Sequence, residues 1–483
     1  MRVLEGLEPV SVFYFFEEIC KIPHISYHEQ ALSDYCVAFA KERKLFYQQD
    51  ELGNVLIIKE ATSGYEKEPA MILQGHLDMV GEKVPDCELD LEKDPIRIRV
   101  DGDYICAEGT TLGGDDGIAV AYALAVLDAK DIPHPRLEVV LTVSEEVGLL
   151  GATGMDLSLC QGKRLINVDS EVEGVLTAGC AGGVRVNSQI PVSRETKKGL
   201  VCELFLEGLK GGHSGMEIDK GRANANVLLG RFLLLLKEKM SYGLLEMKGG
   251  AKENVIPKDG GAVLLVDSTK VELLEKTIDE FHSQMKAEYG TADPNIHLNL
   301  VLKEEKEGAV LDEASLDRTL KALNLAPDGV QAMSMDLPGM VETSLNLGVL
   351  ELAGEILTLR FSIRSSIAAA KEQLVKKLGL LTELLGGNMT LAGDYPSWPY
   401  ARESRLRDLA VRIFKEQYGK ELKIEVIHAG LECGILSSKI PGLDCISIGP
   451  DMVDIHTPKE KLSISSVART WKYLLALLAE KEA

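Results

Sequence analysis

Short runs of Val, Ile and Leu recur through residues 1–188 with helix-patterned stretches between them, and that alternation restricts the fold more than any other feature. Residues 55–58, 70–74 and 137–143 read as strands, and 11–20 and 29–43 as helices. A further helix is expected over 116–129, with Asp115 or Asp116 as its N-cap. Apolar strands separated by helices favour a largely parallel sheet, because a parallel connection needs a long crossover that then covers the sheet face. The pattern changes over 189–395. There the expected strands are 200–206, 260–266, 297–302, 344–352 and 356–363, with helices at 224–239, 271–289 and 370–385. It returns from 396, with helices over 404–418 and 465–481 and strands over 423–427 and 444–448. The expected fold is therefore α/β. A split domain, 1–188 and 396–483, has a central mostly parallel sheet with helices on both faces, and 189–395 is an inserted α+β domain.

A chain of 483 residues exceeds one ordinary core, in keeping with two or three domains. Its formal charge of −22 argues against nucleic acid or an anionic membrane as partner, since both select basic surfaces. No stretch approaches the roughly 20 apolar residues of a membrane span. The N-terminal region carries Glu5, Glu8, Glu17 and Glu18 and lacks a small-residue cleavage site, so no signal peptide is expected. Nine scattered cysteines without a Cys-x-x-Cys pair point to buried thiols in a reducing compartment, the cytoplasm by default.

Five acid- or histidine-bearing motifs fall at predicted strand ends of the split domain, where open α/β sheets bind ligands. In Gln74-Gly75-His76-Leu77-Asp78, His76 and Asp78 are two apart on an extended segment and can face one site. Asp78 is placed to orient a metal-binding His76 through its other ring nitrogen. The Gly113-Gly114-Asp115-Asp116-Gly117 turn is no dinucleotide fingerprint, because two carboxylates there would repel pyrophosphate. Such a pair can bind cations instead. Ser144-Glu145-Glu146 closes another strand, and one of the two acids can bind metal while the other remains a base. Asp169 ends a fourth run, and His456 lies in Asp454-Ile455-His456-Thr457-Pro458. A lone strand-end acid or histidine is more often a cap or a satisfied polar group. Five in one split domain are hard to assign to capping, and the donor types suit zinc.

The order His-x-Asp, Gly-Gly-Asp-Asp-Gly, Glu-Glu, Asp, His resembles the co-catalytic zinc peptidases that include aminoacylases and carnosine-type dipeptidases. Gly109-Thr110-Thr111-Leu112-Gly113, Gly179-Cys180-Ala181-Gly182-Gly183, Gly211-Gly212-His213-Ser214-Gly215 and His428-Ala429-Gly430-Leu431-Glu432-Cys433-Gly434 narrow the likeness to the bacterial aminoacyl-histidine dipeptidases. The resemblance implies two zinc ions per subunit, with manganese or cobalt as alternatives. Asp115 would bridge them, His76 and Asp169 would complete one site, and Glu146 and His456 the other. Glu145 would be the general base and Asp78 the orienter of His76. The subfamily often has Asn at the position of Asp116. Asp115 is retained as the bridge because Asp116 is expected to cap the following helix.

The resemblance further implies that the inserted domain is a lid and a homodimer interface, and that His213 reaches the partner subunit's site to bind the oxyanion. Asn254 and Arg364 would hold the substrate carboxylate. Glu432 would face the substrate amine or pair with a basic neighbour. His24 and His28 are expected to be caps or surface groups, His134 lies in a proline-flanked loop, His282 and His297 lack acidic partners, and the sequence gives His428 no role. The expected activity is hydrolysis of dipeptides with a free N-terminus, Xaa-His and broader. Two alternatives stand beside it: an N-acyl-amino-acid deacylase with the same metal set, and a non-catalytic metal-stabilised binding protein. The presence of Glu145 beside Glu146 counts against the latter.

Overall fold

The computed structural model describes residues 2–481. They form two compact units. One comprises the described residues through Cys180, Trp398–Val426, and those from Leu431 onward; the other is Ala181–Ser397 with Ile427–Gly430.

The first unit is built on an eight-stranded sheet. Its order is Phe46–Gln49, Val55–Lys59, Leu137–Thr142, Met71–His76, Arg164–Asn167, Asp444–Ser447, Val175–Cys180, Lys423–Ile427. The middle four strands run parallel. Phe46–Gln49 and Val55–Lys59 pair antiparallel, and Val175–Cys180 pairs antiparallel with Asp444–Ser447. Every residue of Leu137–Thr142 and Met71–His76 is buried, which is why these strands read as unbroken apolar runs with no polar alternation. The parallel register sets His76 opposite Thr142 and Gln74 opposite Asn167, so Met71–His76 and Leu137–Thr142 finish level and Arg164–Asn167 stops slightly short of them. Residues just beyond those ends are thereby delivered to one edge of the sheet.

The helix Gly114–Asp128 is buried from Gly114 through Leu127, as expected of a helix apolar all round. Tyr122 stacks on Trp471 of the helix Ile464–Ala479, with ring centroids 5.8 Å apart, and its hydroxyl donates to the Val467 carbonyl. Phe13, Phe16 and Ile19 of Val10–Cys20 fill the same core. Full burial of one such side chain contributes about 1.5–3 kcal/mol. A small antiparallel sheet, in the order Met452–Val453, Lys461–Ser463, Tyr104–Ala107, Ile98–Asp101, carries two loops toward that edge. One loop holds His456, and the other leads to Asp115.

The second unit contains a nine-stranded antiparallel sheet that shares one core with the helices Ala225–Lys239, Val271–Tyr289, Glu313–Leu325 and Ala368–Leu384. Its long hairpin-like pair, Arg194–Glu207 and His297–Leu311, extends well past the apolar stretches that the sequence marks. All nine cysteines are free thiols. No helix among the described residues is long and apolar enough to cross a membrane.

Candidate metal centre

Beyond the strand Leu137–Thr142 the chain turns sharply, with Ser144 in the left-handed region at φ 53°. A non-glycine residue held there costs about 1–3 kcal/mol, so its surroundings must enforce it. Glu29, itself buried, does so: one carboxylate oxygen accepts both the Ser144 N–H and the Ser144 hydroxyl at 2.9 Å. Asp78 fixes the next two residues. Its Oδ1 accepts the Glu145 N–H at 2.8 Å, and its Oδ2 accepts the Glu146 N–H at 3.2 Å and the Ser26 hydroxyl at 2.8 Å. Asp78 therefore organises the turn that presents both glutamates, and not His76 alone.

The His76 Nδ1 lies 2.9 Å from the Asp78 carbonyl and 3.5 Å from its Oδ1, which leaves Nε2 to face the acids. Asp115 stands between two imidazoles. Its Oδ1 is 3.1 Å from His76 Nε2, and its Oδ2 is 3.2 Å from His456 Nε2. Asp169 Oδ1 lies 3.6 Å from the same His76 nitrogen, and Glu146 Oε1 lies 2.8 Å from the same His456 nitrogen. His456 is also held at a left-handed φ of 58°. Asp115, Glu146 and His456 offer ligand atoms within 4.8 Å of one another, as do His76, Glu145 and Glu146, and His76, Asp116 and Asp169. Among the described residues, the ion pairs of Asp78, Asp115, Glu146 and Asp169 are with these two histidines. So much enclosed negative charge calls for cations, and an imidazole–carboxylate set fits borderline divalent metals such as zinc.

The acid–base balance reflects the crowding. Burial works against a charged His76, but the carboxylates of Asp115, Asp169 and Asp78 outweigh it and hold its pKa well above the ordinary value. Burial is likewise overcome at His456, which Asp115 and Glu146 push up to about 11. Protons and metal ions compete for these nitrogens. Burial raises Asp169 to about 6, with Asp115 and Glu146 adding to it against His76. Glu145 is raised well above the carboxylate range by burial, and by Asp169, Glu432 and Glu146 against the opposing His76.

Asp116 departs from the expected helix cap. The backbone at Asp115 and Asp116 is not helical, and the N-cap position of Gly114–Asp128 is Gly113, which offers no side-chain hydrogen bond. Asp116 Oδ2 instead accepts the His76 N–H at 3.1 Å, while its buried Oδ1 has no partner. Among the described residues Glu432 forms no ion pair, although His76 lies near enough to act on its charge. Glu432 is fully buried, and its Oε2 accepts from the Gln74 amide and from the Thr142 hydroxyl at 2.6 Å, leaving Oε1 unpartnered. Burial pushes its carboxyl up to about 7. His24, expected near the surface or at a cap, is 2% exposed, and its Nδ1 sits 2.6 Å from the Ile22 carbonyl. His134 is also buried. Ser26, Glu29 and Glu460 were not marked by the sequence, since each acts from a separate segment through hydrogen bonds that carry no local pattern.

In the second unit, Gly212–His213 pairs with Val255–Ile256. The Met216 N–H donates to His213 Nδ1 at 3.1 Å, which assigns the proton of a neutral ring to Nε2. Burial and the nearby Arg364 lower its pKa, against Glu217. Nε2 lies 3.4 Å from Arg364 Nη2, so two donors face each other. Arg364 is 8% exposed, donates Nη1 to the Tyr395 hydroxyl at 3.2 Å, and has no partner for Nε. Facing donors of this kind suit a shared anionic acceptor. Asn254 joins this region through its backbone carbonyl, which accepts the Ser214 N–H, and its side chain is exposed. His428 Nε2 lies 2.7 Å from the Ser344 hydroxyl, and burial lowers its pKa to about 4.

The sequence profile of peptidase family M20/M25/M40 matches residues 72–480. The cytosol non-specific dipeptidase of Escherichia coli (strain K12) is 39% identical over 482 residues, covering 99% of both chains. Among solved structures, the aminoacylhistidine dipeptidase of Vibrio alginolyticus is 37% identical with a TM-score of 0.92 over 99% of each chain. The aminopeptidase PepT of Bacillus cereus ATCC 10987 shares the fold at 15% identity, with a TM-score of 0.58 over 98% of each chain.

Proposed function

The chain belongs to peptidase family M20/M25/M40, and on that premise we propose that it hydrolyses dipeptides at a centre for two divalent cations. The observation that carries the proposal is the Asp115 carboxylate set between His76 and His456, with one oxygen directed to each. His76, Asp115 and Asp169 would hold one cation, and Asp115, Glu146 and His456 the other. Zinc is the metal proposed, with manganese or cobalt as alternatives. Bound there, such a pair supplies Lewis acidity toward the scissile carbonyl and lowers the pKa of water.

Glu145 is the proposed general base. It takes the proton of the attacking water and returns it to the departing amine. Asp78 keeps Glu145 and Glu146 in place through their backbone N–H groups and supports the His76 ring. Arg364 and Asn254 are the proposed partners of the substrate carboxylate. Glu432 Oε1, which has no hydrogen-bond partner among the described residues, is the proposed acceptor for the ammonium. His213 donates Nε2–H to the oxyanion, in the family arrangement from the partner subunit of a homodimer formed through the inserted segment 189–395. That segment would also act as the lid. The proposed substrates are dipeptides with a free N-terminus, Xaa-His and broader, and the proposed compartment is the cytoplasm. The names of the Escherichia coli and Vibrio relatives support the substrate class.

A panel of free dipeptides and N-acetyl amino acids tests the assignment. Turnover of the free dipeptides above their N-acetylated counterparts is expected. Preference for N-acetyl amino acids would move the reading to a deacylase.

A further inference from the structure

Glu460 is 4% exposed, and four consecutive backbone N–H groups converge on it. Its Oε2 accepts from Leu112 at 2.7 Å and Gly113 at 3.1 Å, and its Oε1 from Gly114 at 2.8 Å and Asp115 at 3.4 Å. Successive N–H groups can point at one anion only if the backbone alternates its handedness, and Gly113 provides that with φ 73°. A Cβ on Gly113 would stand 2.7 Å from Met79 Sδ, and one on Gly114 would stand 3.1 Å from Glu460 Oε1. The turn leads into Gly114–Asp128, whose backbone is not helical at Asp115 and Asp116, so the carboxylate grips the loop that precedes the helix proper.

The origin of Glu460 gives the contact its meaning. It ends the loop that carries His456, between Met452–Val453 and Lys461–Ser463, and its N–H closes that loop on the Thr457 carbonyl at 3.1 Å. Lys461–Ser463 pairs with Tyr104–Ala107, the strand that leads into the Leu112 turn. One side chain thus ties together the two loops that present Asp115 and His456.

We propose that Glu460 is a positioning residue of the metal centre, setting the Asp115 carboxylate against His456 by gripping the Leu112–Gly113–Gly114–Asp115 backbone. The proposal rests on the reading that Asp115 and His456 are metal ligands. A carboxylate is required because both oxygens accept two N–H groups each. A glutamine would turn its NH2 against two of those donors, and an aspartate would fall one methylene short.

The test is metal affinity, measured by chelator competition on the full-length protein, together with the visible absorption of the cobalt-substituted form. Glu460→Gln is expected to weaken metal binding about 10–100-fold and to alter the cobalt spectrum. Glu460→Asp should rescue little of the loss. Asp115→Asn serves as the control. If it binds metal like the wild type, the reading of the site fails. If Asp115→Asn loses metal while Glu460→Gln keeps wild-type affinity and spectrum, the positioning role alone is overturned, and Glu460 only secures the fold of the loop. Should Glu460→Gln not fold, Gly114→Ala presses a methyl on Glu460 Oε1 without removing the charge. A several-fold weakening is then expected, and unchanged affinity overturns the proposal.

Discussion

Asp78→Asn changes one atom at a carboxylate whose two oxygens are both committed to backbone donors. Oδ1 takes the Glu145 N–H, and Oδ2 takes the Glu146 N–H together with the Ser26 hydroxyl. Whichever way the amide is turned, its NH2 faces one of these N–H groups and leaves it unsatisfied. An unsatisfied buried donor costs about 1–3 kcal/mol, and loss of the negative charge weakens the bonds that remain. The expected destabilisation is about 2–4 kcal/mol, measured by urea unfolding with the metal removed. Because the same N–H groups hold Glu145 and Glu146, metal affinity should fall about 10–100-fold in a chelator competition. Ser26→Ala removes only a hydroxyl from the arrangement, so it should cost about 1 kcal/mol and leave metal affinity unchanged. Wild-type stability and wild-type affinity in Asp78→Asn would refute the reasoning.

Glu145→Gln is expected to keep its metal while kcat falls about 10²–10⁴-fold, because only the proton acceptor is removed; loss of metal would make Glu145 a ligand. His213→Ala should lower kcat about 10²–10³-fold with metal content unchanged. Mixing His213→Ala chains with Glu145→Gln chains should restore part of the activity, because one hybrid site then holds both wild-type residues; mixed dimers without activity would exclude action in trans. Burial pushes the Asp328 carboxyl up to about 7, although it accepts the Leu347 N–H at 2.8 Å. The folded chain therefore binds this proton more tightly than the unfolded chain does, and the stabilisation present at low pH is lost as pH rises from about 4 through about 7. Asp328→Asn should raise the Tm at pH 8 relative to pH 4, with a gain of at most about 4 kcal/mol, and an unchanged pH profile of Tm would contradict the assignment.

The strands that hold the site were legible because burial on both faces leaves apolar runs ending abruptly at His76, Glu145 and Asp169. The helix Gly114–Asp128 was legible from its unbroken small and apolar residues. Other features had no local signal. Tyr104–Ala107 and Lys461–Ser463 are too short and mixed in composition to show a period, yet they carry the loops to Asp115 and His456. Lys303 to Glu307 is exposed throughout, and only its pairing with 194–200 makes it a strand. The side chain of Asp116 was misplaced because the backbone kinks at Asp115 and Asp116 before the helix proper, turning the carboxylate to the His76 N–H. Glu432 and Glu460 show the same limit. An acid buried against amides and hydroxyls reads in sequence like any surface acid.

The most direct test of the account is a metal titration of dipeptidase activity in protein stripped by a chelator. No turnover is expected in the stripped protein, with recovery on adding zinc that reaches its plateau at two equivalents per chain. Full turnover by the metal-free protein would contradict it.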